Sequence, residues 1–339
     1  MMRIEKEHTI LITGAAGFIA SCMALYLNQL GYENLILVDD FTQSRKEANH
    51  HAIRCIAKVH RDDIETYLMS APTLHQVIHF GARTDTTEMD YSIHEKLNYQ
   101  YSIILWNYCT AKQIPFIYAS SAATYGAGEH GYSDNHEVVA KLHPLNPYGE
   151  SKQQFDLFVL QQKTTPPHWY GLKFFNVYGP NEYHKGRMAS VIFHAYHQIK
   201  NQGELKLFRS HREDYTDGGQ MRDFVYVKDL LAITFWLMQH QPENGLYNLG
   251  TGKAETFLQL GQAVFAALHL APNICFVDTP ADIRNTYQYF TEADMSKLRA
   301  AGYSAPMSDL MQGVNDYVTH YLQPEKYFDG TSLAPDDQA

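Results

Sequence analysis

Thr9-Ile10-Leu11-Ile12-Thr13-Gly14-Ala15-Ala16-Gly17-Phe18-Ile19-Ala20 is the stretch whose order decides the fold. Residues Thr9 to Thr13 are β-branched and apolar, the class that packs well on a pleated surface. Glycines interrupt the run, and apolar residues then recur at helical spacing from Phe18 to Leu30, stopping at Gly31. This reads as strand, turn, helix and C-cap. A second apolar run, Leu35 to Val38, ends in Asp39 and Asp40 and closes a strand-helix-strand unit of about 30 residues.

The same alternation continues outward. Gln76 to Ala82 reads as strand, Ile93 to Ala111 as helix, Phe116 to Ser121 as strand, Pro147 to Leu160 as helix, and Leu172 to Val177 as strand. Such alternation calls for a doubly wound parallel sheet with helices on both faces, a Rossmann-like α/β fold with right-handed crossovers. A dinucleotide-binding domain is expected over 1–177, with a contribution from about 222–250. Beyond residue 178 the rhythm loosens through the polar segment Arg209 to Gln220, a strand-like Asp223 to Val227, and helical patterns near Val264 and Met307. That predicts a smaller mixed α/β C-terminal substrate domain over 178–330. The stretch 323–339, rich in Pro, Asp, Gly and Ser, reads as a flexible tail.

The 339 residues are 45% hydrophobic and 19% charged, a globular composition long enough to bury a sizeable core. A formal net charge of -10 argues against a nucleic-acid partner, which would call for a basic patch. Cys22, Cys55, Cys109 and Cys275 lie far apart with no C-x-x-C pair, as expected of reduced thiols. The 18 histidines show no ligand spacing, so no metal is expected. Because no run approaches the roughly 20 apolar residues of a membrane helix and no leader pattern opens the chain, the expected location is cytoplasmic, without a membrane partner.

Gly14 and Gly17 sit between strand and helix, where backbone N–H groups and the helix dipole receive a pyrophosphate. Asp39 and Asp40 close the second strand, where a carboxylate would accept from a ribose 2′-hydroxyl and favour NAD. Arg45 and Lys46 could instead hold a 2′-phosphate, so the two signals conflict. Gly81-Ala82-Arg83 follows another strand and is placed to pass close to the cofactor. Tyr148 and Lys152 are four residues apart, on one face of a helix, the geometry a phenolate base needs. Bringing a tyrosine from pKa about 10 to about 7 requires roughly 4 kcal/mol, comparable to one cation about 4 Å away at an effective dielectric near 20. An oxidised nicotinamide would add to this, and Ser120 and Ser121 end a strand at the same edge, where a hydroxyl can orient a substrate oxygen.

Together these segments resemble the extended short-chain dehydrogenase/reductases, the nucleotide-sugar epimerases and dehydratases, over nearly the whole chain. Within that group, Tyr118-Ala119-Ser120-Ser121-Ala122-Ala123-Thr124-Tyr125-Gly126, Phe175-Asn176-Val177-Tyr178-Gly179-Pro180, His184-Lys185-Gly186 with Met188-Ala189-Ser190-Val191, and Arg222-Asp223-Phe224-Val225-Tyr226-Val227 are similar to those of the ADP-glyceromanno-heptose 6-epimerases. That family inverts carbon 6 of the heptose in a lipopolysaccharide precursor and prefers NADP. The resemblance implies Ser121, Tyr148 and Lys152 as catalytic triad and Lys185 as second acid/base. It implies cofactor contacts at Phe18, Ile19, Asp39, Asp40, Lys46, Phe80, Gly81, Ala82, Arg83, Thr84, Lys152 and Val177. Substrate contacts are implied at Asn176, His194, Phe208, Arg222 and Tyr287, with NADP as cofactor, NAD as the alternative, and a homo-oligomer as the assembly.

Two features depart from the family pattern: Arg187 stands where a serine is usual, and Arg209 to Met221 is longer than expected. Dehydratases of the group need an Asp-Glu pair soon after the strand-end hydroxyl, and here those places hold Ala122 and Ala123. A UDP-hexose 4-epimerase, the nearest alternative, leaves Lys185 without a task. A non-catalytic NADP-binding regulatory protein would have no need of Tyr148 and Lys152.

Overall fold

The computed structural model describes residues 3–280, 284 and 288–331. Among these, seven strands form one wholly parallel sheet: β1 (Ile10–Thr13), β2 (Leu35–Asp39), β3 (Ala57–His60), β4 (Gln76–His79), β5 (Phe116–Ser121), β6 (Trp169–Phe174) and β7 (Gly245–Leu249). Their order is β7-β6-β5-β4-β1-β2-β3. Chain direction across the sheet reverses between β1 and β4, so the loops after these two strands diverge and leave a crevice at their carboxyl ends. Successive side chains alternate between faces: Ile10 and Ile12 join a core with the helices Phe18–Gln29 and Val227–His240, whereas Leu11 joins Leu105, Trp106 and Phe155 on the other face. No helix among the described residues is long and apolar enough to cross a membrane.

Several element boundaries differ from the sequence reading for local reasons. The stretch read as one strand to Val177 changes partner at Phe175, whose N–H donates to Leu249 while Asn176 N–H donates to Asp223 O. Asn176–Tyr178 then pairs in parallel with Phe224–Tyr226, and a helix begins at once at Val227. β4 stops at His79 because the chain must turn at Gly81 against the glycine loop. The helix expected from Ile93 begins at Tyr91 and passes through a widened π segment, Glu95–Gln100, before the regular Tyr101–Lys112. β3 and β7 escaped the sequence reading; the first is a half-exposed edge strand and the second opens on glycine and contains Asn248. Two further pairs, Leu205–Phe208 with Ile274–Val277 and Met221–Arg222 with Glu255–Thr256, belong to the region after β6.

The expected flexible tail is packed in its described part. Phe328 is 3% exposed, and its N–H donates to Asn181 Oδ1 at 2.9 Å. Asn181 Nδ2 in turn reaches Ser21 Oγ on the first helix at 3.0 Å, so the tail is fastened to the cofactor side of the sheet. Polar composition hid a single aromatic anchor. Replacing that anchor, Phe328→Ala, is expected to lower stability by about 3 kcal/mol or more, as for other large-to-small changes in a packed core. Urea unfolding measures it, and wild-type stability would mean that the segment does not hold to the body.

Candidate active site

The glycine loop is shaped by steric contact. Gly14 has φ +73°, and a Cβ there would lie 2.6 Å from Gly81 Cα. The helix starts at Phe18 with Gly17 as N-cap, so its first-turn N–H groups face the crevice. The opposite wall is the loop after β4, held at both ends: Gly81 N–H donates to Thr13 Oγ1 at 3.1 Å, and Asn98 grips Arg83 through Oδ1 to N–H at 2.7 Å and Nδ2 to O at 3.0 Å. Between the walls lies a cavity of about 600 Å³. Gly14, Gly17, Phe18, Ile19, Asp39, Asp40, Lys46, Phe80, Gly81, Ala82, Arg83 and Thr84 all line it.

At the far end of this cavity the two acids are already occupied. Asp39 accepts from Ala16 N–H at 2.9 Å, Asp40 N–H at 2.7 Å and Lys46 Nζ at 3.2 Å. Asp40 accepts from Thr42 and Gln43, and the Thr42 and Gln43 side-chain bonds hold its carboxyl well below the usual range. Arg45 and Arg61 line the same end. Arg61 Nε is buried, 3.7 Å from Asp62 Oδ1, and makes no hydrogen bond among the described residues. Backbone donors at the glycine loop and cations at the far end fit a dinucleotide.

A second cavity of about 350 Å³ shares Phe18, Phe80 and Lys185 with the first and is lined by Ser121, Tyr148, Lys152, Asn176 and Val177. Asn146 caps the helix Pro147–Gln161 by accepting from Gly149 N–H at 2.8 Å, and Pro147 fills its first position. Tyr148 thus enters on the first turn, its hydroxyl hydrogen-bonded to Ser121. Burial pushes the Tyr148 phenol above its ordinary pKa, and the Ser121 bond offsets this in part. Lys152, four residues on, donates its ammonium to Ala119 O at 2.8 Å, and burial pushes its own pKa down to about 8. Lys185 comes from the turn Tyr183–Met188, its Nζ 5.5 Å from the Phe18 ring. Burial lowers its pKa, and the buried Glu182 carboxylate opposes the shift.

Not every expected residue reaches these cavities. Neither His194, Phe208 nor Arg222 lines either one. The Arg222 guanidinium donates to the carbonyls of Met221 and Gln288 and lies 5.7 Å from the ring of Phe257, itself a wall residue. Tyr287 lies outside the described residues. Arg187 is exposed at the rim of the larger cavity, on the side of Asp85. Sequence reasoning missed Arg61, which follows an unrecognised strand, and Asn98, which also holds Ser151 Oγ at 2.9 Å on the catalytic helix. It also missed a surface grouping of Glu129, His130 and His143, whose ligand atoms lie within 4.8 Å of one another.

Comparison with known proteins agrees with this geometry. Residues 10–250 match the NAD dependent epimerase/dehydratase family. The ADP-L-glycero-D-manno-heptose-6-epimerase of Fusobacterium nucleatum is 44% identical over 93% of this chain and 98% of its own. That of Nitratidesulfovibrio vulgaris is 46% identical over 92% of this chain and 97% of its own. The crystal structure of the Helicobacter pylori ADP-L-glycero-D-manno-heptose-6-epimerase superimposes with a TM-score of 0.78 at 26% identity, covering 94% and 99% of the two chains. The chain therefore belongs to the NAD dependent epimerase/dehydratase family and, within it, to the ADP-L-glycero-D-manno-heptose-6-epimerases.

Proposed function

We propose that this enzyme inverts carbon 6 of the heptose in ADP-glycero-manno-heptose, a step of lipopolysaccharide precursor synthesis, using NADP. The observation that carries the reading is the convergence of Tyr148 and Lys185 on one small cavity that shares a wall with the cofactor cleft. Inversion at a carbinol carbon needs the proton on its oxygen handled from two orientations, and one fixed base reaches only one of them well. Bound in the cleft, NADP supplies a hydride acceptor that returns the same hydride. Tyr148 takes the hydroxyl proton of one epimer, with Ser121 orienting the oxygen. Lys185, across the cavity and with a lowered pKa, meets the oxygen after the keto sugar turns its other face. Ala122 and Ala123, where a dehydratase needs acids, leave elimination without a proton donor.

NADP is favoured over NAD because Asp39 is spent on Ala16, Asp40 and Lys46, whereas Arg61 keeps an unused buried donor. Free thiols at all four cysteines accord with the cytoplasmic reading. A homo-oligomer follows from the resemblance alone, and sedimentation equilibrium tests it.

Two measurements test the reading. Arg61→Ala is expected to weaken NADP binding at least tenfold while leaving NAD nearly unchanged, since only the 2′-phosphate is lost as a partner. Equal effects on both cofactors in fluorescence titration would remove the NADP assignment. For Lys185→Met, assayed by interconversion of the two heptose epimers, turnover is expected to fall by roughly a hundredfold or more with cofactor retained, the usual scale for a lost acid/base. Near-normal turnover with only a raised Michaelis constant would make Lys185 a binding residue and leave the two-base route unsupported.

A further inference from the structure

Beneath the catalytic helix lies an ion pair with no access to solvent. Asp156 and Lys173 are both 0% exposed, with Lys173 Nζ 2.6 Å from Asp156 Oδ2. Asp156 follows Lys152 by four residues, as Lys152 follows Tyr148, so the three side chains share one stripe of the helix. The Asp156 carboxylate also accepts from Tyr118 OH at 2.9 Å and Ser120 Oγ at 2.7 Å, the two β5 residues flanking the carbonyl that receives Lys152. Lys173, on β6, donates further to Thr124 Oγ1 at 2.8 Å, and Thr124 donates to Ser121 O at 2.8 Å. One junction thus joins the elements that carry Tyr148, Lys152 and Ser121. A buried ion pair is a poor device for stability alone, because an apolar pair of similar volume does as well or better.

We propose that Asp156 and Lys173 are positioning residues of the reaction: each neutralises the other beneath the catalytic helix, so that Tyr148, Lys152 and Ser121 keep one geometry and one working pH range. The proposal rests on the reading of Tyr148 as general base. Other titratable groups also face this stripe, and His94, from the turn of helix before the π segment, meets the Tyr148 ring edge-on at 6.3 Å. His79 on β4 is held neutral by burial, its pKa pushed down to about 3. Burial pushes Tyr118 and Tyr125 up and His136 down. Asp134, raised by burial, accepts from Asn248 N–H at 2.8 Å, and Lys297 beside it is lowered by burial. Lys185 and Glu182 lie across the cavity and counter each other. Among these the Asp156 carboxylate is the charge that supports the Lys152 ammonium, and Lys173 balances it at 2.6 Å, so removing either partner uncovers a charge on the stripe that carries Tyr148 and Lys152.

The test is the pH profile of turnover in the full-length, cofactor-loaded enzyme. Asp156→Asn leaves the Lys173 cation unbalanced, which favours the Tyr148 phenolate and disfavours the Lys152 ammonium. Both limbs should move to lower pH by about one unit, the effect of a single charge roughly 10 Å away at an effective dielectric near 20. Lys173→Met leaves the carboxylate unbalanced and should move both limbs upward by a similar amount. The double variant D156N/K173M should return the profile to the wild-type position. Limbs that stay in place in both single variants, or move in one direction in both, overturn the proposal. If one single variant does not fold, the other decides alone: an unmoved profile, or movement opposite to that expected, overturns the proposal. If neither folds, Lys173→Arg keeps both charges and should leave the limbs in place, and a shift of a full unit there overturns the proposal. Tyr148→Phe separates the two readings: if it keeps turnover, the general-base assignment fails, whereas if it loses turnover and the profiles stay fixed, only the role of the ion pair fails.

Discussion

Everything at the carboxyl edge of this sheet depends on how closely two backbones approach there. Gly14 and Gly81 come from the loops after β1 and β4, the neighbouring strands between which the order reverses, and they touch with no side chain between them. A methyl group on Gly14 would overlap Gly81 Cα, so the contact leaves room for hydrogen at that position alone. Because the loops meet low in the crevice, the walls above them open into the cofactor cleft, and the first helix presents its N-terminus to it.

Around this contact the protein repeatedly spends polar side chains on holding backbone. Thr13 and Asn98 fix the 81–83 loop, and Asn98 continues to Ser151 on the catalytic helix. Thr13 Oγ1 lies 2.6 Å from His79 Nδ1, and His79 Nε2 lies 2.9 Å from Ser102 Oγ. Ser102 donates its proton to Asn98 O, so it accepts from His79 Nε2–H, and His79 Nδ1 in turn accepts from the Thr13 hydroxyl. A buried, neutral imidazole with one tautomer is a rigid spacer. The reacting groups inherit their placement from such spacers, which are made before any ligand arrives.

What could be read in the sequence was what is local. The turn between β1 and the first helix, and the four-residue interval from Tyr148 to Lys152, are periodicities of a few residues, and both appear where expected. Partners distant in sequence were not legible. Asn98 acts on Ser151 53 residues away, and Asp156 meets Lys173 across 17 residues that include a change from helix to strand. The acids that close β2 show the same limit: their position at the cavity was legible, but only the folded chain shows that Ala16 N–H and Lys46 already reach Asp39. Likewise Phe328 is one anchoring ring in a polar stretch, which composition averages away.

The placement of that ring also bears on how the chain is made. The sheet can grow in order of synthesis, since β2 and β3 add on one side of β1 and β4, β5, β6 and β7 add in turn on the other. The first helix is different. Its Tyr26 meets Phe235 edge-on with ring centres 6.0 Å apart, and its Leu25 carbonyl lies against Gly330. A nascent chain that has completed β6 therefore still shows the ribosome-side environment an apolar helical face awaiting residues some two hundred and three hundred positions downstream.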